Sequence, residues 1–290
     1  MGSLKEIKER IGSVRSTRKI TSAMKMVAAA KLHRAQREIG ALVPYSDELQ
    51  AIVAHLATGE GVGVVPLAEE REVKAATVVG FASSSTLCGA YNSNVGRKVV
   101  EHIAEEYGSL DAERLDVRVV GSRLGVELKR SNIPFTAASD DLSEKPDYAA
   151  YRTMAEEFMS AFLEGRTDRV ELVYYKFISA GTQRLVCERL LPIELPTAAE
   201  NSPSAGEDYI LEPTRKELID SIVPRQVALK LFTAALSAAA SEHAARMMAM
   251  QSATDNADEL IGTLSLEYNK QRQQAITTEL LDMMGGRGGE

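Results

Sequence analysis

A chain of 290 residues, 44% hydrophobic and 26% charged, is long enough for one large or two modest domains with a sizeable core. It has no tryptophan and is only 5% aromatic, so Ala, Leu, Val and Met supply the apolar mass, a palette that suits helix more than sheet. The net charge of −7 argues against a nucleic-acid binder, yet it is uneven: residues 1–38 carry ten Lys and Arg against three Glu, which is +7 and leaves −14 for the rest.

In chain order, Leu4, Ile7, Ile11 and Val14 fall at helical spacing, and Thr21, Met24, Ala28, Leu32, Ala35 and Ile39 continue the stripe. Ser3 with Glu6 matches a capping box that starts this helix. It is predicted to run past Pro44, a candidate kink, to about Leu56, where Gly59, Gly61 and Gly63 end it. At about 1.5 Å per residue such a segment is a rod of roughly 80 Å. Ala75–Ser83, Val117–Gly121 and Val170–Ile178 read as buried strands, and Arg184–Ile193 as strand-like. Asn94–Tyr107, Arg123–Arg130 and Tyr148–Glu164 read as helices, so the middle of the chain is a small α/β sheet domain. Glu200–Asp208 is a polar connecting stretch. After Pro224 a second long helix is expected, with no further proline and only Gly262 inside it before Gly285. Its first half is alanine-rich (Ala234, Ala235, Ala238, Ala239, Ala245, Ala249 and Ala253), which suits close approach of a partner helix. The second half carries Leu260, Ile261, Leu264, Tyr268, Ile276, Leu280 and Leu281. Two rods of matched length from opposite ends pair most simply as an antiparallel coiled coil. The expected divisions are therefore 1–58 (first coiled-coil helix), 75–195 (α/β domain) and 209–285 (second coiled-coil helix).

The chemistry of an active site is hard to find here. The turn Ser83-Ser84-Ser85-Thr86-Leu87-Cys88-Gly89-Ala90-Tyr91-Asn92 holds no G-x-G-x-x-G and no Gly-Lys-Ser/Thr, so a phosphate cradle lacks its main support. Gly89 reads instead as a tight-turn residue. Cys88 and Cys187 read as reduced thiols of a cytosolic compartment, in strand or strand-end settings, with Cys88 a buried structural thiol. His33, His55, His102 and His243 are scattered without ligand-like neighbours, and Asp140-Asp141 and Glu156-Glu157 read as surface charge. No catalytic, cofactor or metal site is expected. No stretch reaches the length of a bilayer span, Phe232–Ala240 coming nearest, and Met1–Glu6 has no apolar signal core.

Three longer motifs carry a resemblance. Ile20-Thr21-Ser22-Ala23-Met24-Lys25-Met26-Val27-Ala28-Ala29-Ala30-Lys31 is one. Ala245-Arg246-Met247-Met248-Ala249-Met250 with Ala253-Thr254-Asp255-Asn256-Ala257 is the second, and Tyr268-Asn269-Lys270-Gln271-Arg272-Gln273 followed by Ile276-Thr277-Thr278-Glu279-Leu280 is the third. Together with Leu87-Cys88-Gly89 and Leu190-Leu191-Pro192 they resemble, in order and across the whole chain, the gamma subunit of rotary ATP synthases.

The resemblance implies a non-catalytic central stalk: a long antiparallel coiled coil of the terminal helices plus a small Rossmann-like α/β domain. It implies as partners three alpha and three beta subunits around the coiled coil, and the epsilon subunit and the membrane ring of c subunits at the α/β domain. Ion flow through that ring would be coupled to ATP synthesis or hydrolysis on the alpha/beta ring. By carry-over, Arg272, Gln273, Thr277 and Glu279 form a polar catch against a beta-subunit loop, and Met24, Lys25 and Arg246 lie where the helices pass acidic loops. For Met24 and Met247 plain seam packing is the equal alternative. The lack of a targeting segment points to a bacterial enzyme on the cytoplasmic side of the inner membrane. Three departures stand out. Ser84-Ser85-Thr86 replaces the family's Asp and Gly. Gly285-Gly286-Arg287-Gly288-Gly289-Glu290 replaces a short Ala-rich tail. The inserted cysteine pair of the chloroplast version is missing, so no thiol switch of that kind is expected. Two other readings stand beside this one: a free-standing α/β enzyme with a coiled-coil dimerisation stem, and a basic coiled-coil nucleic-acid binder, whose binding would be steeply salt-dependent.

Overall fold

The computed structural model describes residues 4–57, 65–137, 140–194, 212 and 214–285. The capping residue Ser3, the triple-glycine stop, the stretch 200–208 and the glycines after Gly285 lie outside them.

Helix α1 spans Leu4–Ala57 with Pro44 inside it, and α6 spans Arg215–Gly285. Compactness divides the chain into two units: one made of residues 1–29 and 246–290, the other of residues 30–245. Each long helix contributes to both.

In the first unit the two helices pair through a seam at the expected spacing. Ile7, Ile11 and Leu264 are buried together, with Val14 and Tyr268 packed against them. Polar rungs continue the seam: Arg18 Nη1 donates to Asp258 Oδ1 at 2.6 Å, Thr21 Oγ1 meets Thr254 Oγ1 at 2.8 Å, and Lys25 Nζ donates to Gln251 Oε1 at 2.5 Å. Numbers rise along one helix as they fall along the other, so the pair is antiparallel.

The second unit is built on a five-stranded sheet: β1 (Ala76–Phe81), β2 (Leu115–Val120), β3 (Thr136–Ala137), β4 (Arg169–Ser179) and β5 (Thr182–Leu191), in the order β3-β2-β1-β4-β5. The first four in that order run parallel, and β5 returns antiparallel to β4 as the edge. β1 is buried on both faces, as a central parallel strand must be. Its alternate side chains enter two cores. Val78 packs with α2 (Tyr91–Glu106) and α3 (Ser122–Arg130). Val79 and Phe81 pack with α5 (Tyr148–Leu163) and with Val53, Leu56, Val223 and Leu231 of the long helices. The short α4 (Asp140–Glu144) precedes α5, whose N-cap Asp147 accepts from the Ala150 amide at 3.1 Å. Gly80 is needed for close packing, since a Cβ there would overlap Leu124 of α3.

Several expectations are corrected. α6 begins nine residues before Pro224 rather than after it, because Ile219 and Val223 are buried against Val53 and Leu56 and that packing outweighs the hydrogen bond a proline removes. The rods are not matched: α1 has 54 residues and α6 has 71. Cys88 lies in the turn before α2, not on a strand. Ala234, Ala235 and Ala238 serve the α/β core itself, packed with Phe81, Val120 and Tyr151, rather than only a helix–helix seam.

Candidate partner interface

All seven residues singled out by the resemblance fall in the two-helix unit, in two groups. Met24 and Lys25 are half-buried on α1, with Lys25 fixed by its bond to Gln251. Arg246, also half-buried, stands five residues earlier on α6 than Gln251, about 7.5 Å along the axis. Around them Ile20, Met26, Val27 and Met248 are each more than half exposed. These four apolar side chains stand outside the helix seam.

The second group follows from register. With Ile7 beside Leu264 and Tyr268, Leu4 falls opposite about Gln271. From Arg272 onward, α6 therefore has no facing helix among the described residues. Arg272, Gln273, Thr277 and Glu279 are all exposed there. Thr277 returns its hydroxyl to the Gln273 carbonyl at 2.9 Å, which leaves that oxygen's lone pairs as acceptors. Ile276, Leu280 and Leu281, expected as seam residues, are exposed at 48%, 51% and 63% for the same reason.

Charge supports an acidic partner for α1. Lys5, Lys8, Arg10, Arg15, Lys19, Lys31 and Arg37 are exposed, and so are Arg18 and Arg34, which pair with Asp258 and Glu38. A row of exposed cations along one helix attracts acidic surfaces over roughly 10 Å at moderate salt.

The sheet's own binding edge is filled from within. In an open α/β sheet, ligands enter beyond the carboxyl ends of the strands where the strand order reverses, here between β1 and β4. That place is taken by α6. Phe81, Ala82, Val120 and Tyr151 meet Ala235, Ala238, Ala239 and Glu242 around a cavity of only about 10 Å³. The adjoining turn is braced by Asn92, whose side chain accepts from the Ser83 amide at 3.0 Å and donates to the Ser85 carbonyl at 3.2 Å. Gly89 sits at φ +61, the tight-turn role expected of it, and Leu87 at φ +67. Ser84, in the departing Ser-Ser-Thr segment, donates to Glu144 at 2.6 Å.

The perturbed ionisable groups lie in the α/β domain. Burial lowers the affinity of Lys230 for its proton, and its Nζ donates to the Arg189 carbonyl at 2.6 Å. Burial raises Tyr174, helped by its bond to Glu188 at 2.7 Å. A cluster invisible in the sequence joins His102, Tyr107 and Glu171: the ring and the phenol both reach Glu171 Oε2, at 2.5 and 2.6 Å. Partners 69 residues apart leave no local signal. Nor did the pattern disclose Ile20, Met26 and Val27 as surface, although each lies off the seam spacing.

A family model described as ATP synthase matches residues 3–288. The chain is 46% identical over 289 residues to the ATP synthase gamma chain of Bacteroides fragilis, with 99% of each chain covered. It is 45% identical to the gamma chain of Bacteroides thetaiotaomicron, again with 99% of each covered, and 39% identical to that of Geotalea uraniireducens, with 99% of this chain and 98% of the relative covered. Among solved structures, it is similar to a chain of the Euglena gracilis mitochondrial ATP synthase in a complex of OSCP, F1 and c-ring, at a TM-score of 0.65 and 19% identity, over 98% of this chain and 93% of that one. A chain of the central stalk and c-ring of the Tetrahymena thermophila enzyme gives 0.58 and 20%, over 81% and 99%. These distant likenesses carry the fold.

Proposed function

The chain belongs to the ATP synthase gamma-chain family, and on that premise we propose that it is the non-catalytic central stalk of a proton-transporting rotary ATP synthase. The observation that carries this reading is the antiparallel helix pair, in a chain matched to gamma chains along 99% of its length. A single asymmetric shaft inside three alpha and three beta subunits touches each beta subunit differently, so its turning redistributes their conformational states. The α/β domain meets the epsilon subunit and the c-subunit ring. With α6 seated in the sheet's ligand edge, a free-standing nucleotide enzyme is not favoured.

Arg272, Gln273, Thr277 and Glu279 form the polar catch on the beta subunits, where α6 extends beyond α1 and offers exposed polar groups. Met24, Lys25 and Arg246 lie against acidic loops, drawn by the basic surface of α1. The protein is held at the cytoplasmic side of a bacterial inner membrane through its partners. No helix among the described residues is long and apolar enough to cross a membrane.

Two experiments test this. Alpha and beta subunits should accompany the tagged chain when it is purified from membranes; purification without them argues against the stalk reading. Arg272→Ala removes charge-assisted hydrogen bonds worth roughly 1.5–3 kcal/mol in the angular state that forms them. ATP synthesis by the assembled enzyme should fall while the isolated chain stays folded. Unchanged synthesis would remove Arg272 from the catch.

A further inference from the structure

Within the second unit, α1, α6 and the turn between α4 and α5 line a cleft of about 290 Å³. Its floor is apolar. Ala35 of α1 and Leu236 and Ala239 of α6 are buried there, and Pro146 of the turn is half-buried. At the same depth lies His243, 5% exposed, one turn of α6 beyond Ala239.

The rim is charged, and its charges do not cancel. Lys31, Arg34 and Glu38 stand on α1, Glu144 and Lys145 at the end of α4. Three cations against two carboxylates leave +1 with His243 neutral. Arg34 is paired with Glu38 at 3.0 Å, and Glu144 accepts from Ser84 at 2.6 Å. The ammonium groups of Lys31 and Lys145 have no ion pair or hydrogen bond among the described residues, and both side chains are exposed.

We propose that this cleft binds a small amphiphilic carboxylate, a fatty acid of medium chain length, with its head on Lys31 and Lys145 and its chain on the floor. Sites for small molecules run from roughly 300 to 1,000 Å³, so this cleft suits one of them and is too small for a helix or strand of a partner. The lining selects the rest. An inorganic anion leaves the apolar floor in water, and a neutral chain leaves both ammonium groups unneutralised. A carboxylate with a hydrocarbon tail satisfies the two together. Burying the tail supplies most of the affinity. The lysines, point charges on flexible stems, close on the head from two walls. Those ion pairs stay near water, so their share is modest and salt-sensitive. Held this way, the ligand bridges α1 to the α4–α5 turn.

The test is calorimetric titration of the full chain with octanoate, octanol and inorganic phosphate. Octanoate should bind saturably at one site, with octanol and phosphate each about ten-fold weaker. Raising salt from about 0.05 to 0.5 M should weaken octanoate several-fold. Lys31→Gln with Lys145→Gln should weaken it about ten-fold and leave the fold intact, since both side chains are exposed and unpaired. Lys5→Gln, a change to an exposed cation of α1 in the other unit, should leave it as it is. Octanoate should also slow amide exchange in residues 31–38 and 236–243. No saturable binding overturns the proposal. So does octanol or phosphate binding as tightly as octanoate, or octanoate binding that survives the double lysine change.

Discussion

Thr21 Oγ1 lies 2.8 Å from Thr254 Oγ1, and each hydroxyl also has a carbonyl of its own helix within reach, Arg18 O at 3.1 Å and Met250 O at 2.8 Å. One proton bridges the two oxygens and the other goes to a carbonyl, so both hydroxyls are satisfied where the helices cross-link. Thr21→Val should cost about 1 kcal/mol, because it leaves Thr254 short of a partner. The double variant Thr21→Val with Thr254→Val should cost less than the two single changes together. Amide exchange along α1 and α6 in a double-mutant cycle measures the difference; strict additivity would mean that the rung contributes nothing.

Two glycines in unlike surroundings give opposite expectations. Gly262 is exposed within α6 and an added Cβ meets nothing within 4 Å. Gly262→Ala should therefore stabilise the helix by about 1 kcal/mol. Gly121 stands at φ +90 between β2 and α3, where a Cβ would run into the backbone of Ala82 and Ser83. Gly121→Ala should destabilise by roughly 1–3 kcal/mol from backbone strain alone. Urea denaturation of the two variants decides, and a loss of stability in the first would refute the open-site argument.

Those two glycines also mark what the residue order discloses. The α1 seam was legible because Ile7, Ile11, Ala28 and Leu32 repeat at the helical period, and all four are buried. β1 was legible as an apolar run buried on both faces. β3 and α4, two and five residues long, offer too little pattern to read. Pro224 reads as a boundary after which the helix begins, since the contacts of Ile219 and Val223 that carry the helix through it are long-range. The alanines of α6 announce a close approach but not to what. The exposed set near Arg272 was named by motif alone; its exposure depends on where the register lets α1 end, which no single segment encodes.

Stability should respond to pH through His102 and Glu171. The folded His102 titrates at about 10, above its ordinary 6.5, so its contribution is complete below pH 6.5 and is lost as pH rises through 10. Burial pushes the Glu171 carboxyl up, but the bonds from His102 and Tyr107 outweigh it and leave it below 4.5; its contribution is present above that value and is lost in stronger acid. Breaking the pair with His102→Gln should cost about 3 kcal/mol near pH 6, since a buried charge loses its partner. The gap to the unmodified chain should narrow towards pH 10. Thermal melts across pH 5–10 follow it, and a gap that widens with pH would contradict the pairing.

Tyr91, the first residue of α2, donates its hydroxyl to the Ala238 carbonyl at 3.0 Å and stacks on Tyr175 at 5.0 Å. Tyr91→Phe keeps the stacking and should cost about 1 kcal/mol. The loss should appear as faster amide exchange in α6 near Ala238, and unaltered exchange there would show that the bond does not hold the helix.

That bond is one of a set. Lys230 donates to the Arg189 carbonyl at 2.6 Å, Ser237 accepts from the Phe177 amide at 2.7 Å, and Ser241 donates to the Tyr175 carbonyl at 3.0 Å. The four anchors span residues 230–241, about 16 Å of helix. Apolar contact resists separation but has no preferred direction, so two greased surfaces shear past each other at little cost. Hydrogen bonds fix angle as well as distance. A twist applied to this stretch of α6 loads several of them at once and reaches the sheet as torque, without slip.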